Sequence, residues 1–297
     1  MPRVERTLAL MHAWGYAPTL EALAANLLGG DVRVPDLARA IGLSRVARTS
    51  DGVAWLRGAE GLVPSSLHRA SRNGSLNGHA RSVAEAYARE LVRHCPFVEC
   101  VALSGSAASG GYADGDDIDF DLFVARGTKY TTYLIANLIG LRVAWRHRRG
   151  AVRGVHRMPL LRKVVCINVV WPSDATRPFL RQDAGMAFEL TRCIPLVGAS
   201  RFQEAIADNP WIAGQLPQLR DRRWTDPVPR GSPSPIGGCL QALAGVPRLA
   251  RFVERASRVV SWALYRFVQE SRRGDPVARE RMEFLRRVKF PYEVFQD

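Results

Sequence analysis

The chain has 297 residues, a length that allows one to three domains and a sizeable core. Hydrophobic residues make up 47% and charged residues 24%, a balance that excludes a disordered or fibrous chain. The formal net charge is +14, and all but three of the 42 basic residues are arginine. A GC-rich genome explains arginine in place of lysine, but the excess of basic over acidic residues favours a polyanionic partner such as nucleic acid or nucleotide phosphates.

The cysteine spacing and the hydropathy both favour a cytoplasmic protein. The five cysteines form no C-x-x-C pair and stand in apolar surroundings, so we expect buried free thiols rather than a zinc site or disulfides. No signal-type apolar block follows the N-terminus, and no apolar run reaches the roughly 18 residues of a membrane span. We therefore expect a cytoplasmic protein without a membrane partner, and the sequence specifies no oligomeric state.

The first 78 residues are predicted to form small helices and a hairpin. Thr19 is a suitable N-cap for the helix that follows it, and residues 35–41 continue the helical pattern. A turn at residues 49–52 precedes a short strand over 53–56. This order suggests a winged-helix-like module, which either binds nucleic acid or packs on the rest of the chain. Because no helix in it has the basic face of a recognition helix, packing is the favoured interpretation.

Residues 79–225 are predicted to form the core, after a turn-rich stretch at 73–78. A helix, two strands separated by a glycine turn, a second helix and a third strand follow one another. The helices are predicted over 80–93 and 130–145, and the strands over 97–103, 118–125 and 164–171. This order predicts an α+β fold, with a mixed sheet flanked by helices.

The last part of the chain is predicted to consist of a linker and a helical region. Residues 226–238 are rich in Pro, Gly and Ser, which is typical of a linker, and residues 239–297 form the C-terminal region. That region carries an apolar stripe at helical spacing, interspersed with arginine. We interpret it as a helix that packs on the core, with a membrane-surface helix as the alternative. The stripe comprises Leu249, Phe252, Val253, Val260, Leu264 and Phe267.

The stretch that indicates chemistry joins the first two strands of the core. Gly105 and Ser106 follow the first strand, and Asp117, Asp119 and Asp121 begin the second. Alternate residues of a strand share a face, about 6.6 Å apart, so the carboxylates should line one side and require neutralising cations. Oxygen ligands of this kind suit Mg²⁺, and two such ions can clamp a phosphoryl transfer. Gly105 lets the backbone approach a phosphate, to which Ser106 offers a hydroxyl and backbone N–H groups.

This arrangement resembles the nucleotidyltransferase superfamily of the DNA polymerase β type. The family pattern is a glycine, then Gly or Ser, a spacer of roughly ten residues, and Asp-hydrophobic-Asp-hydrophobic. Here a ten-residue spacer selects Asp117 and Asp119, and a twelve-residue spacer selects Asp119 and Asp121. Asp119 is a ligand in both registers. Later segments of the chain are similar to uncharacterised bacterial members of the superfamily with a helical N-terminal module.

The resemblance implies an enzyme that depends on Mg²⁺ or Mn²⁺. It would transfer a nucleoside monophosphate from an NTP to an acceptor hydroxyl and release pyrophosphate, and the acceptor would be an RNA or tRNA end or a small metabolite. Asp117, Asp119 and Asp121 would be the catalytic and metal-binding residues, and Gly105 and Ser106 would seat the triphosphate.

One departure from the family pattern puts this activity in question. The family usually places a third carboxylate on a later strand, where this chain has Asn168. An amide is a weak metal ligand and a poor general base, so Asp121 supplies the third charge, the site activates its acceptor differently, or activity is weak or lost. Asn168 is equally consistent with a hydrogen-bonded polar residue near a strand centre. Lost activity would leave the alternative function, a non-catalytic nucleic-acid-binding regulator. Lys129 and Asn168 are further candidate contacts for the substrate, and residues 142–163 form a basic segment that would track phosphates.

Overall fold

The computed structural model describes residues 2–113, 115–148 and 163–271 and isolated positions between 274 and 283, the side chains of residues 68–75, 269 and 271 excepted. In this part of the chain, helices and strands form a mixed α+β fold with a two-stranded and a four-stranded sheet. No helix within it combines the length and the apolar content that crossing a bilayer requires.

Three helices and a hairpin form the N-terminal part, in the predicted order. The elements are α1 (Pro2–Ala13), α2 (Leu20–Ala25), α3 (Val34–Gly42), β1 (Ala47–Ser50) and β2 (Val53–Leu56). Thr19 caps α2 as predicted, because its hydroxyl accepts a hydrogen bond from the Ala22 amide at 3.2 Å. These elements share a core that includes Leu8 and Leu37 and also takes in Phe188 from the main part of the chain. The N-terminal part is thus packed on the rest of the molecule.

The predicted turn at residues 73–78 is wrong, because one helix, α4 (Val63–His94), runs through it. The helix also continues past residue 78, where the first segment was expected to end. Glycine costs about 1 kcal/mol relative to alanine inside a helix, and asparagine somewhat less. Tertiary contacts compensate for this cost: the Asn77 side chain donates to the Gly110 carbonyl and accepts from the Tyr112 amide. These bonds attach α4 to the turn that precedes the acidic strand.

The centre of the molecule is a four-stranded mixed sheet. Its strands are β3 (Val98–Ser104), β4 (Ile118–Val124), β5 (Val165–Pro172) and β6 (Ile194–Val197), in the spatial order β5-β4-β3-β6. β4 lies antiparallel to β3 and parallel to β5, and β6 lies antiparallel to β3. The short helix α5 (Gly105–Ala108) follows β3, and α6 (Lys129–Arg146) makes the crossover from β4 to β5. The three strands and the crossover helix predicted for the core are confirmed.

Alternate residues of β4 face different cores. Ile118 and Phe120 are buried with residues of α4 and α6 on one face of the sheet. Phe123 belongs to a second core on the other face. Asp119 and Asp121 share this second face, as their spacing predicts. Three further helices contribute to it, namely α7 (Ala184–Arg192), α8 (Ala199–Ala207) and α9 (Pro210–Gln215).

The segment predicted as a linker lies against the core. Its residues 226–234 adopt no regular structure, and α10 (Pro235–Ala244) follows. The Val228 amide donates to the Leu196 carbonyl of β6, and the Ser234 amide donates to the Arg93 carbonyl of α4. These backbone bonds fix the start of the C-terminal region.

The predicted C-terminal helix is present as α11 (Pro247–Ser271), which packs along α6. Its expected contact face is wrong. Ser257 and Ser261 are buried in the contact with α6, and Val253 is half-buried. The other members of the predicted stripe are exposed, namely Leu249, Phe252, Val260, Leu264 and Phe267. Small side chains allow the two helices a close approach, so the bulky residues point elsewhere.

Candidate active site

One edge of the central sheet carries an acidic cluster. β3 ends at this edge and β4 and β5 begin there, with Ile118 paired to Val165. Asp117, Asp119 and Cys166 each bring one ligand atom to this point, and the three atoms lie within 4.8 Å of one another. The two aspartates are buried, whereas the cysteine is partly exposed. Two of the three predicted carboxylates therefore meet here, together with a sulfur. These three residues are called the acidic cluster below.

Lys163 brings a positive charge to the acidic cluster. Its ammonium nitrogen lies 3.1 Å from an Asp117 carboxylate oxygen and 2.6 Å from the Cys166 sulfur. Burial by itself would lower the pKa of Lys163, but the neighbouring Cys166 and Asp117 outweigh burial and raise it. The lysine therefore stays charged at neutral pH. Asp119 also contributes to this rise in pKa, so the single ammonium charge is shared among Asp117, Asp119 and Cys166.

Gly105 makes room for Asp119. The glycine has a φ of +64°, in the left-handed region, and a Cβ at this position would overlap the Asp119 carboxylate. The next residue, Ser106, donates its hydroxyl to Asp116 at 2.8 Å, and the Ala113 amide donates to the same Asp116 oxygen at 3.1 Å. Asp116 thus holds the turn together and fixes Ser106 at the edge of the sheet where the cluster lies.

Asp121 lies deeper in the molecule than the acidic cluster. It is fully buried, and it accepts hydrogen bonds from the Ser104 hydroxyl at 3.0 Å and the Cys193 thiol at 3.5 Å. Burial raises the pKa of Asp121 well above its usual range, and Glu189 adds to the rise, while the bonds from Ser104 and Cys193 oppose it. Burial also raises the pKa of Glu189. Asp121 is therefore an interior carboxyl outside the group of three ligand atoms.

Asn168 connects the acidic cluster to this interior carboxyl. Its Oδ1 lies 3.3 Å from the Cys166 sulfur, and its Nδ2 lies 3.4 Å from the Ser104 hydroxyl that donates to Asp121. Cys166, not Asn168, is the residue of β5 that pairs with Asp119 across the sheet. The position beside Asp119 on the later strand, where the family pattern has a carboxylate, therefore holds the Cys166 thiol.

The structure does not bring Lys129 to the acidic cluster. Lys129 is the first residue of α6, which follows the end of β4, whereas Asp119 lies at the start of that strand. The strand runs five residues from Asp119 to Val124, so Asp119 lies about 17 Å from the end of β4 that leads to Lys129. The Lys129 ammonium lies over the Tyr130 ring, 5.3 Å from its centroid.

The ends of the predicted basic segment are described, and residues 149–162 lie outside the described part of the chain. At the end of α6, Arg146 pairs with Glu90 at 2.6 Å, and Arg148 lies over the Trp145 ring at 4.3 Å. At the other end of the segment, Lys163 faces the cluster itself.

Sequence reasoning misses two of the residues that meet at this edge. It assigns Lys163 to a phosphate-tracking segment and Cys166 to the buried thiols. Two signals could have found them: Lys163 is one of only three lysines, and Cys166 alternates with Asn168 as Asp119 does with Asp121. The expectation of buried thiols is confirmed for Cys95, Cys100 and Cys193, but it is wrong for Cys239, which is exposed, and for Cys166.

Comparison with known proteins assigns the chain to no family. No protein-family model matches the chain, and no curated protein or solved structure matches it.

Proposed function

We propose that the protein is a nucleotidyltransferase that moves a nucleoside monophosphate from an NTP to an acceptor hydroxyl. The observation that carries the proposal is the convergence of Asp117, Asp119 and Cys166 beside the Gly105 turn. In the reaction, the acceptor oxygen bonds to the α-phosphorus, the hydroxyl proton is released to solvent, the bond from the α-phosphorus to the oxygen of the β-phosphate breaks, and pyrophosphate leaves. Catalysis of this kind depends on positioning the reactants and on neutralising phosphate charge.

The acidic cluster suits a divalent cation. Asp117 and Asp119 are only 3% and 8% exposed, and burying two carboxylates is costly unless positive charge reaches both. Lys163 brings one positive charge, which the two carboxylates share. Asp117 and Asp119 would hold Mg²⁺ or Mn²⁺, which when bound neutralises charge on the substrate phosphates.

The residues around the cluster would position the triphosphate. Gly105 keeps the space beside Asp119 free of a side chain and lets the backbone approach a phosphate. Ser106, oriented by Asp116, offers its backbone N–H at the same edge. Lys163 has the charge and the position for the phosphate contact that the sequence analysis gives to Lys129.

The geometry favours the ten-residue register of the motif. Asp117 and Asp119 are the carboxylates that meet in the cluster, and Asp121 lies behind them among hydrogen-bonded interior groups. In this proposal Asp121 does not bind metal. Its hydrogen bonds from Ser104 and Cys193 instead help to fix β4, the strand that carries Asp119.

Cys166 makes Mn²⁺ the favoured ion of the two. The cluster offers two hard carboxylates and one sulfur, and thiolates select softer metals than Mg²⁺. Where a carboxylate would complete a magnesium site, the sulfur gives a site in which Mn²⁺ binds more tightly. We therefore expect a larger thermal shift with Mn²⁺ than with Mg²⁺ at equal concentration.

The proposal is tested by labelling. The full-length protein is incubated with each α-labelled NTP, Mn²⁺ or Mg²⁺ and a total cell lysate, and the size class that acquires label identifies the acceptor as RNA, protein or metabolite. Asp119→Asn removes one charge with little change of shape, and we expect it to abolish transfer and the metal-dependent rise in melting temperature. Asp31→Asn is the matched control, since Asp31 is exposed in the N-terminal part. Transfer by Asp119→Asn at the wild-type rate would exclude the proposal.

The second candidate function is a non-catalytic regulator that binds nucleic acid through its N-terminal part. Two observations favour it. The Lys163 ammonium already lies against Asp117, where it serves as a built-in cation. The helices α1–α3 precede the β1–β2 hairpin, and Thr19 forms an isolated β-bridge to Val53, an order typical of a winged helix.

Lys163→Gln separates the two candidates. If the lysine is only a structural counterion, the variant should melt at a lower temperature and Mn²⁺ should not restore it. If the cluster binds metal, Mn²⁺ should restore the melting temperature of the variant, because the ion replaces the missing charge. Wild-type protein with and without Mn²⁺ provides the reference.

A further inference from the structure

The helix α11 exposes its bulky apolar residues. Phe252 and Val259 are each 68% exposed, and Phe267 is 61% exposed. Together with Leu249 and Val260, they fall within about 100° of arc around the helix at 3.6 residues per turn, and these five residues are called the apolar face. A single apolar side chain on a surface needs no explanation, but a continuous row along a helix of 25 residues indicates an interaction surface.

Polar contacts fix α11 in this orientation. The Glu254 carboxylate accepts hydrogen bonds from the backbone amides of Tyr130 and Thr131, at 2.7 and 2.9 Å, and from the Thr131 hydroxyl at 2.6 Å. Ser257 and Ser261 are buried on the same side. Turning the apolar face inward would break the bonds that cap the start of α6. The exposure of this face is therefore part of the packing of α11.

Arginines border the apolar face on one side. They are Arg248, Arg251, Arg255 and Arg266, which fall within about 60° of arc next to the apolar face and are called the arginine flank. Arg258, beside them on the side of α6, lies over the Tyr130 ring at 5.3 Å. The helix has two acidic residues, Glu254 and Glu270, and Glu254 is engaged in the cap of α6. The neighbouring α10 has no charged residue and exposes Ile236. The surface is thus apolar and strongly positive.

We infer that α11 lies on the surface of a lipid bilayer that contains anionic headgroups. A helix with Phe, Leu and Val on one face and arginine beside them is the pattern of an interfacial helix, which lies in the plane of the membrane. Anionic headgroups attract the arginine flank. The helix is about 37 Å long, and it rests on the bilayer without spanning it. The inference is independent of nucleotidyl transfer, and it differs from the expectation of no membrane partner.

Charge argues against a second copy of the chain as the occupant of this face. In an antiparallel two-fold pair of α11 helices, the two arginine flanks meet on the same side and repel. Each copy also has a net charge of +14, which disfavours association without an acidic partner. An anionic surface meets the same charges with attraction.

The test is co-sedimentation of the full chain with vesicles. One set of vesicles is phosphatidylcholine alone, and the other is phosphatidylcholine mixed with phosphatidylglycerol. We expect binding to the second set, weakened by salt because exposed charges are screened. Phe252→Gln with Phe267→Gln, and separately Arg251→Gln with Arg255→Gln, should each reduce binding at least about tenfold. Leu180→Gln with Arg220→Gln, which changes exposed residues elsewhere, is the matched control and should bind as the wild type does.

Three results would overturn the inference. The first is wild-type protein that stays in the supernatant with both sets of vesicles. The second is a Phe252→Gln, Phe267→Gln variant that sediments as well as the wild type. The third is a wild-type dimer in sedimentation velocity that the same variant disperses, which would assign the apolar face to a second copy. Circular dichroism of each variant confirms that it is folded.

Discussion

The acidic edge of the sheet and the outer face of α11 depart from ordinary burial in opposite directions. At the edge, Asp117 and Asp119 are buried although they carry charge when ionised. On α11, Phe252 and Val259 are exposed although they are apolar. Both arrangements cost free energy in the chain taken alone, because buried charge requires compensation and exposed apolar surface gains nothing from folding.

The difference lies in what each region already has as a partner. The edge holds part of its compensating charge within the chain, because Lys163 lies against Asp117. The apolar face of α11 lies next to the arginine flank and is exposed to solvent in the isolated chain. In the two proposals, the first region binds a small charged ligand and the second an extended surface. The predictions below test this contrast, from the largest expected effect to the smallest.

The largest effect is expected for Gly105→Ala. The new Cβ would overlap the Asp119 carboxylate, and the side chain must turn out of the acidic cluster. We expect nucleotidyl transfer to fall by about a hundredfold or more, the size of losing one preorganised charge contact. The metal-dependent rise in melting temperature should fall with it. Both are measured on the purified variant.

Gly110→Ala is the control for backbone strain. Gly110 also has a positive φ, of +73°, but nothing lies within 4 Å of a Cβ placed there. The two variants share the strain of a left-handed alanine, about 1–2 kcal/mol. Equal losses of transfer in both variants would attribute the effect to the loop, and the link between Gly105 and Asp119 would be lost.

The fold of the core could be predicted from the sequence to a large extent. Strands β3, β4 and β5 and helix α6 have continuous apolar runs or stripes bounded by turns, and each was found within one residue of its predicted bounds. The alternation of Ile118 and Phe120 with Asp119 and Asp121 also predicts which side chains share a face. Local patterns of this kind depend on the backbone period, which the sequence displays directly.

What could not be predicted depends on contacts between distant segments. Lys163 faces Asp117 only because the crossover helix returns the chain to the strand beside β4. The orientation of α11 follows from Glu254, which caps a helix that begins more than a hundred residues earlier. An apolar stripe shows that a helix is amphipathic, but it does not show which face packs inward.

A smaller effect, on stability, is expected for Glu254→Ala. The substitution removes three hydrogen bonds to Tyr130 and Thr131 and leaves the start of α6 without its cap. We expect a loss of about 2 kcal/mol in the free energy of unfolding, measured by urea denaturation. Glu21→Ala, at an exposed position of α2, is the control and should change little. If the two variants unfold alike, α11 is not fixed by its cap contact, and its outward apolar face needs another explanation.

A pH-dependent effect is expected for Asp121→Asn. Because burial raises the pKa of Asp121, the folded protein binds a proton that the unfolded chain releases as pH rises. The bound proton therefore stabilises the folded wild type in full at pH values below the ordinary aspartate pKa. This stabilisation is lost as the pH rises through the raised pKa of Asp121. The asparagine variant has no such loss, so its melting temperature should exceed that of the wild type increasingly towards alkaline pH.

The pH series also separates Asp121 from the metal ligands. In the presence of a chelator, wild type and variant should melt together near the ordinary aspartate pKa of about 4. With Mn²⁺ added, both should show the same thermal shift, because Asp121 lies outside the acidic cluster. A variant that loses the Mn²⁺ shift would make Asp121 a ligand and would restore the twelve-residue register.

The smallest effect is expected on the outer face of α11. Phe252→Gln and Val259→Gln replace side chains that are 68% exposed, and such positions contribute little to the free energy of unfolding, within about 0.5 kcal/mol. Leu91→Ala, at a fully buried position of α4, provides the contrast and should cost about 2–5 kcal/mol. Urea denaturation of the three variants in the absence of lipid measures both. If the glutamine variants lose as much stability as Leu91→Ala, the face is covered within the folded chain, and the contrast between the acidic edge and an outward surface fails. If they unfold with the wild type while losing affinity for anionic vesicles, the apolar residues of α11 serve binding and not folding.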